Sequence, residues 1–275
     1  MTDGLLKGAV ALVTGASRGA GRGAALGLGE AGAHVYLTGR TMVPGSGTLA
    51  GSLPETAADV VRLGGTATAV ACDHANDAEV EAVMRRIADE QGRLDVLVNN
   101  VYASPTIKTA GVPFWDLPQA YWDDLHAIGL RSHYVASRLA APVMVRQGRG
   151  LIVNISSSAA GDYSALFGVA HGVAKAALDR MTADMARELQ PHGVAVVSLW
   201  PGPIKGEKVT AQPPRLAPEL IAFILKHGES PHFIGRAIAA LAADPQVMGK
   251  TGKVFKTSEL AAEYGFSDPD APSAG

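Results

Sequence analysis

Short apolar runs with few polar breaks alternate along this chain with longer stretches in which apolar residues recur at helical spacing. The short runs fall at Ala9–Val13, His34–Thr38, Thr66–Cys72, Leu94–Val98, Gly150–Ile155, Val194–Leu199 and Lys253–Phe255. Most are apolar at consecutive positions and rich in valine and isoleucine, which predicts strands buried on both faces of a parallel sheet. The segments Gly19–Ala31, Pro54–Leu63, Asp77–Gln91, Pro118–Gln147, Val169–Gln190 and Pro231–Ala243 predict the covering helices. Seven strands joined through helical crossovers predict an α/β fold, a doubly wound parallel β-sheet flanked by helices on both faces. A chain of 275 residues is long enough for this to be one domain spanning 1–275.

Two stretches interrupt the alternation. Thr41–Leu53 is rich in Gly, Ser and Pro, and Pro201–Pro218 holds five prolines, so both are expected as loops. The second follows a strand on the sheet edge where open α/β folds bind ligands. With the apolar helix Leu220–Leu225 it is expected to form a substrate flap over 201–228. The segment 257–275 ends in Asp-Pro-Asp-Ala-Pro-Ser-Ala-Gly and is expected to be a mobile tail.

Charge and composition narrow the class of partner. The balance of 24 Lys+Arg against 26 Asp+Glu, a net charge of -2, offers no broad field for nucleic acid or an anionic membrane, and favours a small-molecule substrate. Cys72 is the only cysteine, so no internal disulfide can form. No metal-ligand cluster is visible. The N-terminus lacks a signal-peptide pattern and no apolar run is long enough to span a bilayer, so a cytoplasmic protein is expected.

The strongest chemical signal is Thr14-Gly15-Ala16-Ser17-Arg18-Gly19-Ala20-Gly21, at the turn between the first strand and the first helix. Backbone N–H groups and the helix dipole there attract a pyrophosphate, and glycines allow its close approach. The second strand runs into Gly39-Arg40 with no acid to bond a ribose 2′-hydroxyl, and Arg18 lies in the turn. Two guanidiniums suit a 2′-phosphate, so NADP(H) is the expected cofactor and NAD the alternative.

Further motifs follow in order: Cys72-Asp73, Asn99-Asn100-Val101-Tyr102, the serines 156–158, His171-Gly172-Val173-Ala174-Lys175 and Trp200-Pro201-Gly202. Together with the Gly-rich turn they resemble the short-chain dehydrogenase/reductase family, in its order and spacing, over nearly the whole chain. The variants Asn-Asn-Val-Tyr and Trp122–Tyr134 resemble a divergent branch that includes eukaryotic dehydrogenase/reductase members. The resemblance implies a Rossmann fold. It also implies nucleotide contacts from Gly15, Ser17, Arg18, Gly19, Ala20, Gly21, Arg40, Cys72, Asp73, His74, Asn99, Asn100, Val101, Lys175, Pro201, Gly202 and Ile204. Self-association as a dimer or tetramer through the helices Pro118–Gln147 and Val169–Gln190 is implied as well.

The resemblance further implies a catalytic set of serine, tyrosine, lysine and asparagine. Lys175 matches the lysine. Ser156, Ser157 and Ser158 compete for the serine, counting forward from Asn154-Ile155 favouring Ser157 and counting back from position 171 favouring Ser158; Ser157 ranks first. Two members depart from the pattern, because Gly129 stands where asparagine is expected and His171 where the tyrosine is expected. Gly206 similarly stands in place of a threonine. Imidazole is a competent acid–base group, yet it is about 2 Å shorter than a phenol, and misplacement by about 1 Å can cost on the order of 10²-fold in rate. Tyr102 or Tyr163 could supply a phenol instead, although wall or core positions are the ordinary reading of both. Two functions follow: an NADP(H)-dependent oxidoreductase acting on a carbonyl or secondary alcohol, with His171, Lys175 and Ser157 or Ser158 at the chemistry, or an NADP(H)-binding sensor or scaffold with little turnover.

Overall fold

The expected strands pair into one seven-stranded, wholly parallel sheet in the order β3-β2-β1-β4-β5-β6-β7. The structure is a computed structural model that describes residues 4–103, 107–211 and 216–270. The parts of the flap and tail at 212–215 and 271–275 lie outside the described residues. In chain order the elements are β1 (Val10–Thr14), α1 (Gly19–Glu30), β2 (His34–Gly39), α2 (Leu53–Arg62), β3 (Thr66–Ala71), α3 (Asp77–Gln91) and β4 (Val96–Asn99). Then come α4 (Gln119–His126), α5 (Ser132–Gln147), β5 (Gly150–Ile155), α6 (Gly168–Leu189) and β6 (Val194–Trp200). The chain closes with α7 (Pro218–His227), α8 (Pro231–Ala243), β7 (Val254–Lys256) and α9 (Thr257–Tyr264). Strand order reverses between β1 and β4, and at such a switch point the carboxyl ends of the strands open a crevice.

Two apolar layers cover the sheet. One joins the β-strands to α1 and α8 through Ala24, Leu28, Ile234 and Ile238, and the other joins them to α3 and α5 through Val83, Ile87, Ala136 and Met144. Helix α1 carries five glycines because it crosses α8 almost backbone to backbone. A Cβ at Gly23 would lie 1.7 Å from the Pro231 carbonyl oxygen, and one at Gly27 2.1 Å from the Gly235 carbonyl carbon. These glycines serve packing, whereas those of the Gly-rich turn serve backbone conformation.

Three expectations need correction. The predicted helix Pro118–Gln147 is interrupted by a π-helical stretch at Ala127–Arg131 that contains Gly129, a form that concentrates at functional sites. Leu53, placed in the preceding loop, opens α2, because Ser52 caps it by accepting the Glu55 N–H. The segment 257–275 is not a free tail over its described length. Residues Thr257–Tyr264 form α9, Leu260 is wholly buried, and the Asp268 carboxylate accepts both the N–H and the hydroxyl of Ser230 at 2.8 and 2.5 Å. An amphipathic turn that can bury Leu260 and pair Asp268 gains enough to order itself.

Gly27→Ala and Gly235→Ala are each expected to destabilise the fold by about 1–3 kcal/mol, the usual cost of overpacking. Gly249→Ala, whose Cβ would meet nothing within 4 Å, is expected to stay within about 0.5 kcal/mol. Urea denaturation of the three variants measures the difference.

Candidate active site

The Gly-rich turn fits a dinucleotide phosphate on backbone grounds alone. Gly15 and Gly19 have φ of +68° and +55°, in the left-handed region, and a Cβ at Gly21 would stand 2.2 Å from the Gly15 carbonyl oxygen. Space in front of Gly19 is open, with no atom within 4 Å of an added Cβ. Asn100 braces the turn from β4: its Nδ2 donates to the carbonyls of Thr14 and Gly15 at 2.9 and 3.1 Å. The N–H groups of Asn100 and Val101 both donate to the Thr14 hydroxyl. From the flap, Glu207 reaches across and accepts the Gly19 N–H at 2.8 Å.

The two arginines are placed differently from one another. Arg18 Nε donates to the Ala50 carbonyl, and its Nη2 to those of Leu49 and Gly51 and to the Thr41 hydroxyl. It therefore pins the loop after β2. Arg40 is 79% exposed and stands 4.0 Å from the Asp73 carboxylate. Asp73 also accepts the Ala75 N–H at 3.0 Å, holding the turn after β3. Cys72 beside it is buried, and burial pushes its thiol up to about 12. Ser17 and His74 are buried too, the latter with Nε2 2.9 Å from the Thr38 hydroxyl.

Asn99 is wholly buried, with Nδ2 donating to Ser137 Oγ and Asn154 Oδ1, each at 2.8 Å. Through these bonds its side chain stitches β4 to β5 and α5.

Beyond β5, Ser157, His171, Lys175 and Tyr102 converge. Lys175 is 8% exposed, and its Nζ donates to the Ile155 carbonyl at 2.8 Å. Burial pulls this ammonium down to about 8, with Asp179 partly opposing the shift. Asp179 is itself held by Ser198 and by the Trp200 indole N–H. His171 packs between Phe167 and Tyr102, with ring centroids 4.6 and 5.7 Å away. Its Nε2 lies 3.3 Å from Ser157 Oγ and its Nδ1 lies 3.1 Å from Tyr102 Oη. Burial first, then the Lys175 charge, pushes its pKa down to about 4, so the ring is neutral at pH 7.

The three serines have different surroundings. Ser157 meets the imidazole, whereas Ser158 lines a cavity of about 230 Å³ with Trp200, Gly202, Glu229 and Lys256. Ser156 points back to the Lys175 carbonyl. Gly129 lies beside Tyr102, where an added Cβ would meet the ring edge in ordinary contact at 3.7 Å. Tyr163, the other candidate phenol, is 78% exposed. Pro201, Gly202 and Ile204 form the base of the flap, tied down where the Glu229 N–H donates to the Pro203 carbonyl and the Lys205 N–H to the Glu229 carbonyl. Glu207, Glu229, Asp179 and His133 had no motif to reveal them. His133 is buried, with Nε2 on the Val101 carbonyl. Among the described residues no cluster suits a metal ion and no helix is long and apolar enough to cross a membrane.

With this geometry the class is that of a dinucleotide-fold oxidoreductase, and residues 9–215 match the family described as short chain dehydrogenase. The chain belongs to the short-chain dehydrogenase/reductase family. It is 42% identical over 279 residues to dehydrogenase/reductase SDR family member 1 of Mus musculus, covering 96% of this chain and 84% of that one. A metagenomic short-chain oxidoreductase solved in complex with NADP superposes with a TM-score of 0.70 at 32% identity, covering 88% of this chain and 94% of that one. The 3-oxoacyl-[acyl-carrier protein] reductase of Brucella melitensis does so at 0.79 and 26%, covering 93% and 91%.

Three neutral, buried histidines make the fold acid-sensitive. His74 and His171 are pushed down to about 4 and His133 to about 3, burial being the first cause in each. Each folded value lies below the ordinary 6.5, so the stability they carry is complete above that value and is lost as the pH falls from it toward 4. Glu229, pushed up to about 7 by burial, gains stability over the same descent, one proton against three. Tm at pH 5 is expected to lie roughly 5–10 °C below Tm at pH 7.5. Calorimetry at the two values checks this, and a flat profile would contradict the neutral assignment.

Proposed function

We propose that this chain is an NADP(H)-dependent oxidoreductase that interconverts a carbonyl and a secondary alcohol. The observation that carries the reading is the meeting of Ser157, His171 and the buried Lys175 at one end of β5, across the crevice from the Gly-rich turn. When bound, the reduced nicotinamide supplies a hydride to the carbonyl carbon. Gly15, Ser17, Gly19, Ala20 and Gly21 hold the pyrophosphate by backbone N–H groups, and Arg40 meets the 2′-phosphate. The relative solved with NADP supports that choice over NAD. Asp73 and His74 bound the adenine side. Val101, Pro201, Gly202 and Ile204 wall the nicotinamide, and Lys175 orients its ribose. Ser157 bonds the substrate oxygen, and His171 is its proton partner.

The exposed apolar side chains Phe223 and Leu225 of the flap suit an apolar substrate. Tyr134, half-exposed on α5, belongs to a groove with Pro142, Val145 and Met185 between α5 and α6, and that groove suits association of two copies. The neutral state of His171 favours the second reading, a nucleotide-binding protein with little turnover, because a neutral imidazole is a weak acid for carbonyl reduction.

A panel of ketones, diketones and quinones followed by NADPH absorbance separates the two: turnover supports the enzyme, and tight NADP binding without turnover on any of them supports the sensor. Arg40→Ala is expected to weaken NADPH by about 10- to 100-fold while sparing NADH, since it removes a charge-assisted bond to the 2′-phosphate. Equal losses by calorimetry would refute the pairing. Glu207→Ala is expected to tighten NADP by roughly three- to ten-fold, because its carboxylate no longer competes for the Gly19 N–H.

A further inference from the structure

The phenol missing from position 171 reappears beside it, carried by another segment. Tyr102 follows β4, and a Cβ added at Gly129 would stand 3.7 Å from its ring, in ordinary contact. Tyr102 Oη stands 3.1 Å from His171 Nδ1, the two rings edge-on at 87°. On the far side of the imidazole, Nε2 stands 3.3 Å from Ser157 Oγ. Lys175 Nζ lies 5.5 Å from the Tyr102 ring centroid, so the ammonium faces the phenol as well as the imidazole.

From this arrangement we infer that Tyr102 is a positioning residue that holds His171 in the Nε2–H tautomer, so that Ser157, not His171, is the group that hands the proton to the substrate oxygen. The inference rests on the oxidoreductase reading above. Its direction follows from donor and acceptor chemistry. A phenol is a stronger acid than a neutral imidazole, and burial keeps Tyr102 protonated, so Oη–H donates and Nδ1 accepts. Nε2 then carries the remaining proton and donates to Ser157 Oγ. With its oxygen already accepting, the serine is free to aim its own O–H at the substrate. The arrangement removes the length problem of an imidazole at this position: the ring does not reach the substrate, and a hydroxyl beyond it does.

In reduction, the carbonyl carbon receives the hydride from the reduced nicotinamide, and its oxygen takes the Ser157 Oγ proton. The Nε2 proton passes to Oγ and restores the serine hydroxyl, while the Oη proton passes to Nδ1. The charge left is one phenolate on Tyr102 beside the Lys175 ammonium; the Nδ1 proton returns to Oη and one proton from solvent enters at Nε2, which restores the starting tautomer. Oxidation of the alcohol runs the same path in reverse.

Nitrogen-resolved NMR of the full chain bound to NADP reads the tautomer without any turnover. His171 is expected to show a protonated Nε2 and a bare, accepting Nδ1. Tyr102→Phe removes one hydroxyl and no packing volume, and is expected to lower the Nε2–H fraction. In the carbonyl assay it is expected to lower kcat by about 10²-fold or more, with KM and NADP affinity within about threefold, whereas a merely structural role would move affinity and stability together. A protonated Nδ1 in the parent chain overturns the inference, and so does a Tyr102→Phe chain with tautomer and kcat unchanged. The parent-chain spectrum needs no variant, so it decides the tautomer even if Tyr102→Phe fails to fold. If the parent chain turns over no carbonyl, the oxidoreductase reading falls on that result, and the tautomer assignment stands or falls on the spectrum.

Discussion

The Lys175 ammonium is 8% exposed and fixed to the Ile155 carbonyl at 2.8 Å, and its charge adds to burial in setting the protonation of the imidazole beside it. A charge withdrawn from water acts on its neighbours at low effective dielectric, where its field is strongest. After burial itself, it presses the His171 imidazole toward neutrality, and at 5.5 Å from the Tyr102 ring centroid it is attracted to the negative face of that ring. Lys175 tolerates this position because one carbonyl accepts from it and Asp179, held in turn by Ser198 and Trp200, lies along the same helix. The β5–α6 junction is thus an electrostatic unit in which charge is kept on the lysine and excluded from the imidazole.

The cofactor side depends on close backbone approach instead. Gly15 and Gly21 bring the turn near the first helix, and Gly23, Gly27 and Gly235 let α1 and α8 cross at backbone distance. These two demands fall on one glycine-rich stretch of sequence. Helix α1 therefore holds its N-terminus at the crevice while its other end is locked against α8. Glu207 and Glu229 link the flap to the two sides of this frame, one at the Gly19 N–H and the other at the Pro203 carbonyl. The flap is held at both its start and its middle by groups that no motif distinguishes.

Much of the fold was legible because parallel strands buried on both faces must be apolar at nearly every position, as β1, β4 and β6 are. The π-helical break at Ala127–Arg131 was not, since its sequence carries no proline and keeps a helical period. Helix α9 was hidden by a proline-bearing terminus; Leu260 and Asp268 become ordering residues only when their partners lie beside them. In the candidate site, the Gly-rich turn and Lys175 stood out because backbone conformation and helical spacing leave marks in a linear chain. The bond from Asn99 to Asn154 left no such mark, because an asparagine on a strand reads alike whatever its amide faces.

The chain by itself determined the parallel α/β architecture, the position of the nucleotide turn and the presence of His171 where a tyrosine was expected. Periodicity, glycine spacing and residue identity are local properties and survive in one dimension. Tertiary structure alone decided that Ser157 rather than Ser158 meets the imidazole, that Arg18 pins a loop while Arg40 stays open, and that Tyr102 sits against His171. Residues 102 and 171 lie 69 positions apart. Their contact exists because β4 and β5 are neighbouring strands, and hydrogen bonding between them sets which side chains meet beyond their carboxyl ends.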